Sequence, residues 1–213
     1  MTTSLQFQFR NLFKGYSIDQ DLIQSFWSEI ELHYEASNRY YHNLTHLENI
    51  IDELAPLQKE IDNWELLLFS VFYHDIIYQA SAQDNEEQSA LLAKKRLSQI
   101  DLPEADLLVI YNQIISTKQH QKSIYTDTNY LLDADLSILG KDWEQYIVYS
   151  QNIRKEYAIY PDHLYHAGRK KALIHFLTFS EIFKTVHFKA KYENQARLNI
   201  TKEISLLSSS FTY

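Results

Sequence analysis

The side chains of this chain best suited to chemistry are histidines and carboxylates set in apolar surroundings. In Tyr41-His42-Asn43-Leu44-Thr45-His46 the two histidines lie four residues apart, so a helix over this stretch would turn both imidazoles to one side. Taken alone, the pair reads as a polar helix face. His74-Asp75 is harder to account for, because it interrupts the apolar run over residues 66–73 and the Ile76-Ile77 pair, where an isolated carboxylate would carry a large desolvation cost. A buried ion pair or hydrogen-bonded dyad would offset that cost, and so would a bound cation, which pairs the carboxylate and uses a neutral imidazole. Asp133 and Asp135 repeat the anomaly inside Leu131-Leu132-Asp133-Ala134-Asp135-Leu136-Ser137-Ile138-Leu139. One of them could cap a helix or pair with an arginine, yet a shared divalent metal is the most economical partner for all these groups. With nine His and no Cys, any such site is built of nitrogen and hard oxygen, a donor set that suits Mn, Fe, Zn, Ni, Co or Mg.

Helices must position these residues. The 213 residues include only three Gly and three Pro, too few turn-formers for an all-β sandwich or barrel, and apolar positions recur at three- and four-residue steps with breakers between the runs. The pattern predicts an all-α fold. Ser17 with Gln20 opens a helix carrying Leu22, Ile23, Phe26, Trp27 and Ile30; a Thr45/Glu48 capping box opens another that runs to Leu54, with Pro56 at its end. Residues 64–78, apolar nearly all round, form a central helix. Asp84, Glu86 and Glu87 start a helix running towards Ile100, and Pro103 starts one reaching about Thr117. Residues 119–129 read as a loop, 131–139 as a helix capped by Gly140, and 143–160, 164–179 and 192–207 as further helices. No repeat, linker or low-complexity tract divides the chain, which is expected to form one domain over residues 1–213.

Composition narrows the function classes. Hydrophobic residues at 45%, with 14% aromatic, supply a core and exclude a disordered chain. Lys plus Arg at 20 against Asp plus Glu at 28 gives a net charge of −8, which argues against an extended nucleic-acid or anionic-membrane surface but allows a local basic pocket for phosphate. The N-terminal residues lack the pattern of a secretory signal, and no apolar stretch approaches the roughly 20 residues that span a bilayer, so the cytoplasm is the expected location. Without cysteine there is no disulfide, thiolate zinc site or cysteine nucleophile.

The order His46, then His74-Asp75, then Asp135 resembles the ligand series of the HD superfamily of metal-dependent phosphohydrolases, which are all-α proteins. Tyr41-His42-Asn43-x-x-His46, His74-Asp75 and Asp135-Leu136-Ser137 also resemble the metal motifs of the cyclic nucleotide phosphodiesterases, a distant branch of that superfamily. Over roughly residues 39–203 the chain is most similar to a bacterial group described as predicted metal-dependent HD superfamily phosphohydrolases. The likeness lies in Arg39-Tyr40-Tyr41-His42-Asn43, Tyr73-His74-Asp75, Asn85-Glu86, Leu132-Asp133-Ala134-Asp135-Leu136, Gly168-Arg169 and Glu193-x-x-Ala196-Arg197-x-Asn199. The ordered set is specific for fold and metal, and much less specific for substrate.

The resemblance implies a single-domain HD-type helical bundle in which His46, His74, Asp75 and Asp135 hold a first divalent ion and Asp75 bridges to a second, while Asp133 orients a ligand, pairs with a base, or serves a second metal or the substrate. His42 matches a histidine that resembles a general acid for the leaving alcohol, the alternative being an outer hydrogen bond. His120 lies where several HD enzymes resemble one another in carrying an extra histidine, at a second metal or at the substrate; the plainer reading is a surface histidine at a helix end. Glu86 would orient water or a ligand near the second position, and Glu87 would cap its helix. For phosphate, Arg169 behind Gly168 offers a planar fork, and Lys118 and Lys122 border His120. Arg154 with Glu156 and Arg197 with Glu193 read as helix-face pairs, and Arg39 as a partner of a ligand carboxylate. The 16 tyrosines are mainly core filling, with Tyr41, Tyr73, Tyr78 and Tyr165 candidates to line a pocket. The implied activity is hydrolysis of a phosphate ester on a small phosphorylated molecule, such as a nucleotide, by a metal-bound water or hydroxide. One alternative is a cyclic nucleotide phosphodiesterase, although no purine-clamping glutamine and aromatic pair stands out. The other is a noncatalytic HD module that binds metal or nucleotide.

Overall fold

The computed structural model describes residues 4–209, and among them every regular element is helical, as the periodicity predicts. The chain divides into two compact units, Met1–Leu131 and Leu132–Tyr213. The first contains α1 (Ser4–Asn11), α2 (Gln20–Tyr34), α3 (Leu44–Leu54) continued by a 3-10 helix (Ala55–Glu60), α4 (Trp64–Tyr73), α5 (Asn85–Leu97) and α6 (Glu104–Ser116). The division falls inside α7 (Thr126–Asp135), and a 3-10 helix (Leu136–Gly140), α8 (Trp143–Glu156), α9 (Asp162–Thr178) and α10 (Val186–Ser209) complete the second unit. Among the described residues, no helix is long and apolar enough to cross a membrane.

The first unit is organised around α4, whose residues from Leu66 to Tyr73 are all buried. Aromatic rings close the core around it: Phe9 stands edge-on to Phe13 (5.1 Å) and Phe72 (5.0 Å), and Phe13 edge-on to Phe69 (5.3 Å). Within that buried run Ser70 lies with its Oγ 2.6 Å from Gln113 Oε1 and so joins α4 to α6. The helix stops at Tyr73 rather than at residue 78. His74 Nδ1 takes the carbonyl of Val71 (2.8 Å), and the amide of Asp75 turns away to the hydroxyl of Tyr34 (3.2 Å), so the next intrahelical bond is replaced at both ends.

Other element ends also differ from expectation. Asp19, not Ser17, caps α2 by accepting from the amide of Asp21 (2.9 Å), and Asn43, not Thr45, caps α3 by accepting from Thr45 (3.0 Å). Asp84 makes no cap bond to α5 and instead accepts from Gln88 Nε2 (3.1 Å); Pro103 precedes α6 as its cap residue. Pro56 sits in the first turn of the 3-10 helix, where its missing amide is harmless. α7 starts at Thr126, within the expected loop, and its first-turn Asp127 takes the amides of Asp62 (2.9 Å) and Asn63 (2.8 Å).

In the second unit, buried carboxylates hold the chain together. Both oxygens of Asp133 accept from the amides of Lys184 (2.8 and 3.0 Å) and Thr185 (2.7 Å), and the Thr185 hydroxyl adds another bond (2.8 Å). Burial nonetheless leaves the Asp133 carboxyl above its ordinary value, and burial likewise pushes the Lys184 amine down to about 8 against the pull of Asp133, Asp135 and Glu193. Glu193 takes the amides of Ile182 (3.0 Å) and Phe183 (3.0 Å) and pairs with Arg197 (2.7 Å), as the helical spacing predicts. Gly140 does not cap a helix. A Cβ there would lie 2.4 Å from Cβ of Tyr192 and 2.8 Å from its carbonyl oxygen, so the glycine permits close approach to α10, where Asn199 donates to the carbonyls of Leu139 (2.9 Å) and Lys141 (2.8 Å).

A polar knot joins α8, α9 and α10. Arg169 grips Glu203 through Nε (2.9 Å) and Nη2 (3.1 Å), while Tyr146 (2.5 Å) and Ser150 (2.8 Å) donate to the same carboxylate. Burial pushes the Glu203 carboxyl up, but the hydrogen bonds and charge of Arg169, with those of Tyr146 and Ser150, outweigh it and hold the group below its ordinary value. A carboxylate so depressed contributes stability above pH 4.5, its ordinary value, and that contribution is lost as pH falls through the lower folded value. Urea denaturation of Glu203→Gln is therefore expected to show a loss of about 3–5 kcal/mol at neutral pH, since Arg169 is left buried and unpaired. Its stability should also decline less steeply than wild type as the pH drops below 4.5.

Candidate metal centre

α3 and the turn after α4 bring His46, His74 and Asp75 together. The Asn43 cap fixes the start of α3 and so places His46 in its first turn, while His74 and Asp75 follow directly where α4 ends. His46 Nε2 and His74 Nε2 are 3.3 Å apart, and Asp75 Oδ2 lies 3.2 Å from His74 Nε2 and 3.9 Å from His46 Nε2. The three residues offer ligand atoms that all lie within 4.8 Å of one another, a group that could hold a metal ion.

Local chemistry makes the fit specific. The carbonyl of Val71 can only accept, so neutral His74 carries its proton on Nδ1 and presents a lone pair at Nε2. That lone pair faces a carboxylate oxygen, which is also an acceptor. A cation placed among these atoms converts the opposition into coordination, and it uses the buried imidazole whose outer nitrogen is already held by a backbone carbonyl, as metal-bound histidines commonly are. The imidazoles of His46 and His74 are 2% and 1% exposed, against 16% for the Asp75 side chain, so the carboxylate forms the outer edge of the cluster.

His42 stands on that edge, 19% exposed, with Nε2 3.9 Å from Asp75 Oδ2. It does not share a helical face with His46, because α3 starts only at Leu44. The bend before the helix brings the rings to 5.7 Å all the same. Tyr41 lies 4.9 Å from the ring of His46, and Tyr78 4.3 Å from that of His42, so two of the tyrosines expected near a pocket are at this site. The other two are elsewhere: Tyr73 is buried in the core of the first unit, and Tyr165 sits under Arg154 in the second (4.7 Å).

The motif context predicts a ligand carboxylate as the partner of Arg39. Its guanidinium instead donates to the carbonyls of His42 (3.0 Å), Asp75 (2.7 Å) and Ile76 (2.7 Å). Beyond Asp75, the turn is braced from α5: Ser89 Oγ takes the amide of Ile77 (3.0 Å), and Asn85 exchanges bonds with the backbone of Gln79 (3.0 Å each way). Nothing in the sequence motifs marks Tyr34 or Ser89 for this site. Tyr34 ends the buried stripe of α2, and its polar tip on an apolar face is the signal that could have marked it.

The remaining candidates are distributed as follows. Glu86, in the first turn of α5, is raised above its ordinary value by burial and by the charge of Asp75, with Lys118 opposing, which places it in the field of the cluster. Lys118 donates to the carboxylate of Glu87 (2.5 Å) and the carbonyl of Gln83 (2.5 Å), and lies 3.9 Å from Glu86. Glu87 is thus an ion-pair partner, and the amine proposed for phosphate is engaged within the protein. His120 follows α6 with a left-handed backbone (φ 51°) and is not part of the three-residue group. Asp133 is not free for a second metal, because both its oxygens serve the backbone at 184–185. Asp135 closes α7 in the second unit, and its place in a ligand set rests on motif order alone. Arg169 is held by Glu203 and Tyr149 rather than presented to a phosphate, and its neighbour Gly168 has nothing close to where a Cβ would be. Arg154 pairs with Asp162 (2.7 Å), not with Glu156.

No protein-family model matches the chain, and no curated protein matches it. The three-residue group is open to a direct test: equilibrium dialysis against Mn2+ or Co2+ should show binding that His74→Ala and Asp75→Ala each weaken by more than the ~10–100-fold typical of partners outside the ligand shell.

Proposed function

We propose that this protein is a metal-dependent phosphohydrolase of the HD type, acting on a phosphate ester of a small molecule such as a nucleotide. The observation that carries the reading is the convergence of His46, His74 and Asp75 with His42 at their solvent-facing edge. His46, His74 and Asp75 would hold the cation. A divalent cation bound there supplies a water activated near neutral pH and counter-charge for a phosphoryl oxygen. His74 keeps its lone pair aimed inward through its bond to Val71. His42, exposed at the outer edge of the cluster, would act as the general acid, giving a proton from Nε2 to the leaving alcohol as the ester bond breaks. Glu86, whose carboxyl is raised above its ordinary value by burial and by the charge of Asp75, can orient a polar group beside them.

One observation favours a second reading, a noncatalytic module that binds metal or nucleotide. Arg169 and Lys118, the cations expected to meet phosphate, are both tied to carboxylates. Phosphate release from a panel of metabolites, with protein shown to contain Mn, Fe, Ni or Co, separates the two. The hydrolase reading expects turnover of at least one ester, lowered ~10²–10⁴-fold in His42→Ala with metal content unchanged. Metallated protein that binds nucleotides tightly and releases no phosphate from any of them supports the binding module instead.

A further inference from the structure

We infer that Arg39 is the positioning residue of this centre, locking the His42 bend and the His74-Asp75 turn into one geometry before any cation arrives. The inference rests on the metal reading above and identifies the side chain that holds that site in shape. Arg39 is 8% exposed, and its partners are carbonyl oxygens on two separate segments: Nη1 binds those of His42 and Asp75, and Nη2 that of Ile76. Only a guanidinium offers several donors in a rigid planar fork; a lysine ammonium could reach one or two of these oxygens, not all of them in the same plane.

Aromatic rings hold the fork itself. Tyr34 lies 4.8 Å from the guanidinium carbon and Tyr78 5.5 Å from it, and Tyr78 in turn stands against the ring of His42. Tyr34 also accepts the amide of Asp75. Both backbone polar groups of Asp75 are therefore gripped by one stacked pair, Tyr34 at the N–H and Arg39 at the C=O. The side chain between them has little freedom to swing away from His74. Through the His42 carbonyl and Tyr78, the same pair sets the ring at the open edge.

Titrating the metal-free full chain with Co2+, followed by visible d–d absorption, tests this without a substrate. Arg39→Lys keeps the charge and removes the fork; it is expected to bind Co2+ ~10–100-fold more weakly and with a shifted band, while the far-ultraviolet circular dichroism stays that of wild type. Tyr34→Phe keeps the ring and removes the acceptor, giving a smaller loss in the same direction. In metal-free protein, the amide of Asp75 should exchange faster in both variants. If wild type binds Co2+ and both variants match its affinity and spectrum, the positioning role is overturned and the metal centre stands. Should Arg39→Lys fail to fold, Tyr34→Phe with unchanged affinity and exchange overturns it alone. Wild type that takes up no Co2+ overturns the metal reading, and the positioning inference with it, whatever the exchange rates show.

Discussion

A helix that ends inside an apolar core strands carbonyl and amide groups where water cannot satisfy them, and α4 ends in this way. Leaving such a group unpaired costs about 1–3 kcal/mol, so the protein must bring donors and acceptors to that spot from other segments. It does so with His74 for the carbonyl of Val71, Tyr34 for the amide of Asp75, Arg39 for the carbonyls of Asp75 and Ile76, and Ser89 for the amide of Ile77. The arrangement of the candidate centre follows from this. Once Nδ1 of His74 is bound to the backbone, its Nε2 has one direction to face, and His46 and Asp75 are what it faces.

The second unit meets the same constraint with carboxylates. Asp133 and Glu193 each gather amides from the stretch before α10, and Glu203 gathers the donors of α8 and α9. Hydrogen bonds to charged groups contribute about 1.5–3 kcal/mol each; at Glu203 they outweigh the desolvation of the carboxylate, whereas at the fully buried Asp133 desolvation still prevails. Of the two aspartates of α7, Asp133 is a structural acceptor with both oxygens in use, and Asp135 closes the helix.

The order of α2 to α10 is legible because apolar spacing is a local property, and the α4 stretch is the clearest case; α1, only eight residues long, is not anticipated. The end of α4 is not legible, since residues 74–78 remain apolar enough to continue and only the imidazole–carbonyl bond and the distant Tyr34 stop it. Caps were blurred by neighbours of equal merit: Ser17 and Asp19, or Asn43 and Thr45, differ by the trajectory of the incoming chain. At the site, His46, His74 and Asp75 could be read because a carboxylate in an apolar run demands a partner. Arg169 and Lys118 look available for phosphate in the sequence because their partners lie 34 and 31 residues away, a distance over which pairing leaves no sequence pattern.

The gradient of exposure across the cluster bears on which function is the better reading. Structural metal sites close every ligand position with protein atoms and bury them, whereas catalytic sites leave one side open. Here the two imidazoles are sealed in the core while Asp75 and His42, about a sixth to a fifth exposed, face outward. A purely structural ion would gain nothing from a titratable ring at the edge of its site, nor from an arginine that fixes that ring and the outer carboxylate together. Proton transfer to a leaving group requires both features, a proton carrier that solvent can recharge and a fixed distance between it and the cation. The open edge at His42 therefore weighs toward the proposed chemistry, and the pairing of Arg169 with Glu203 and of Lys118 with Glu87 would leave a bound cation as the main counter-charge for a phosphate in that reading.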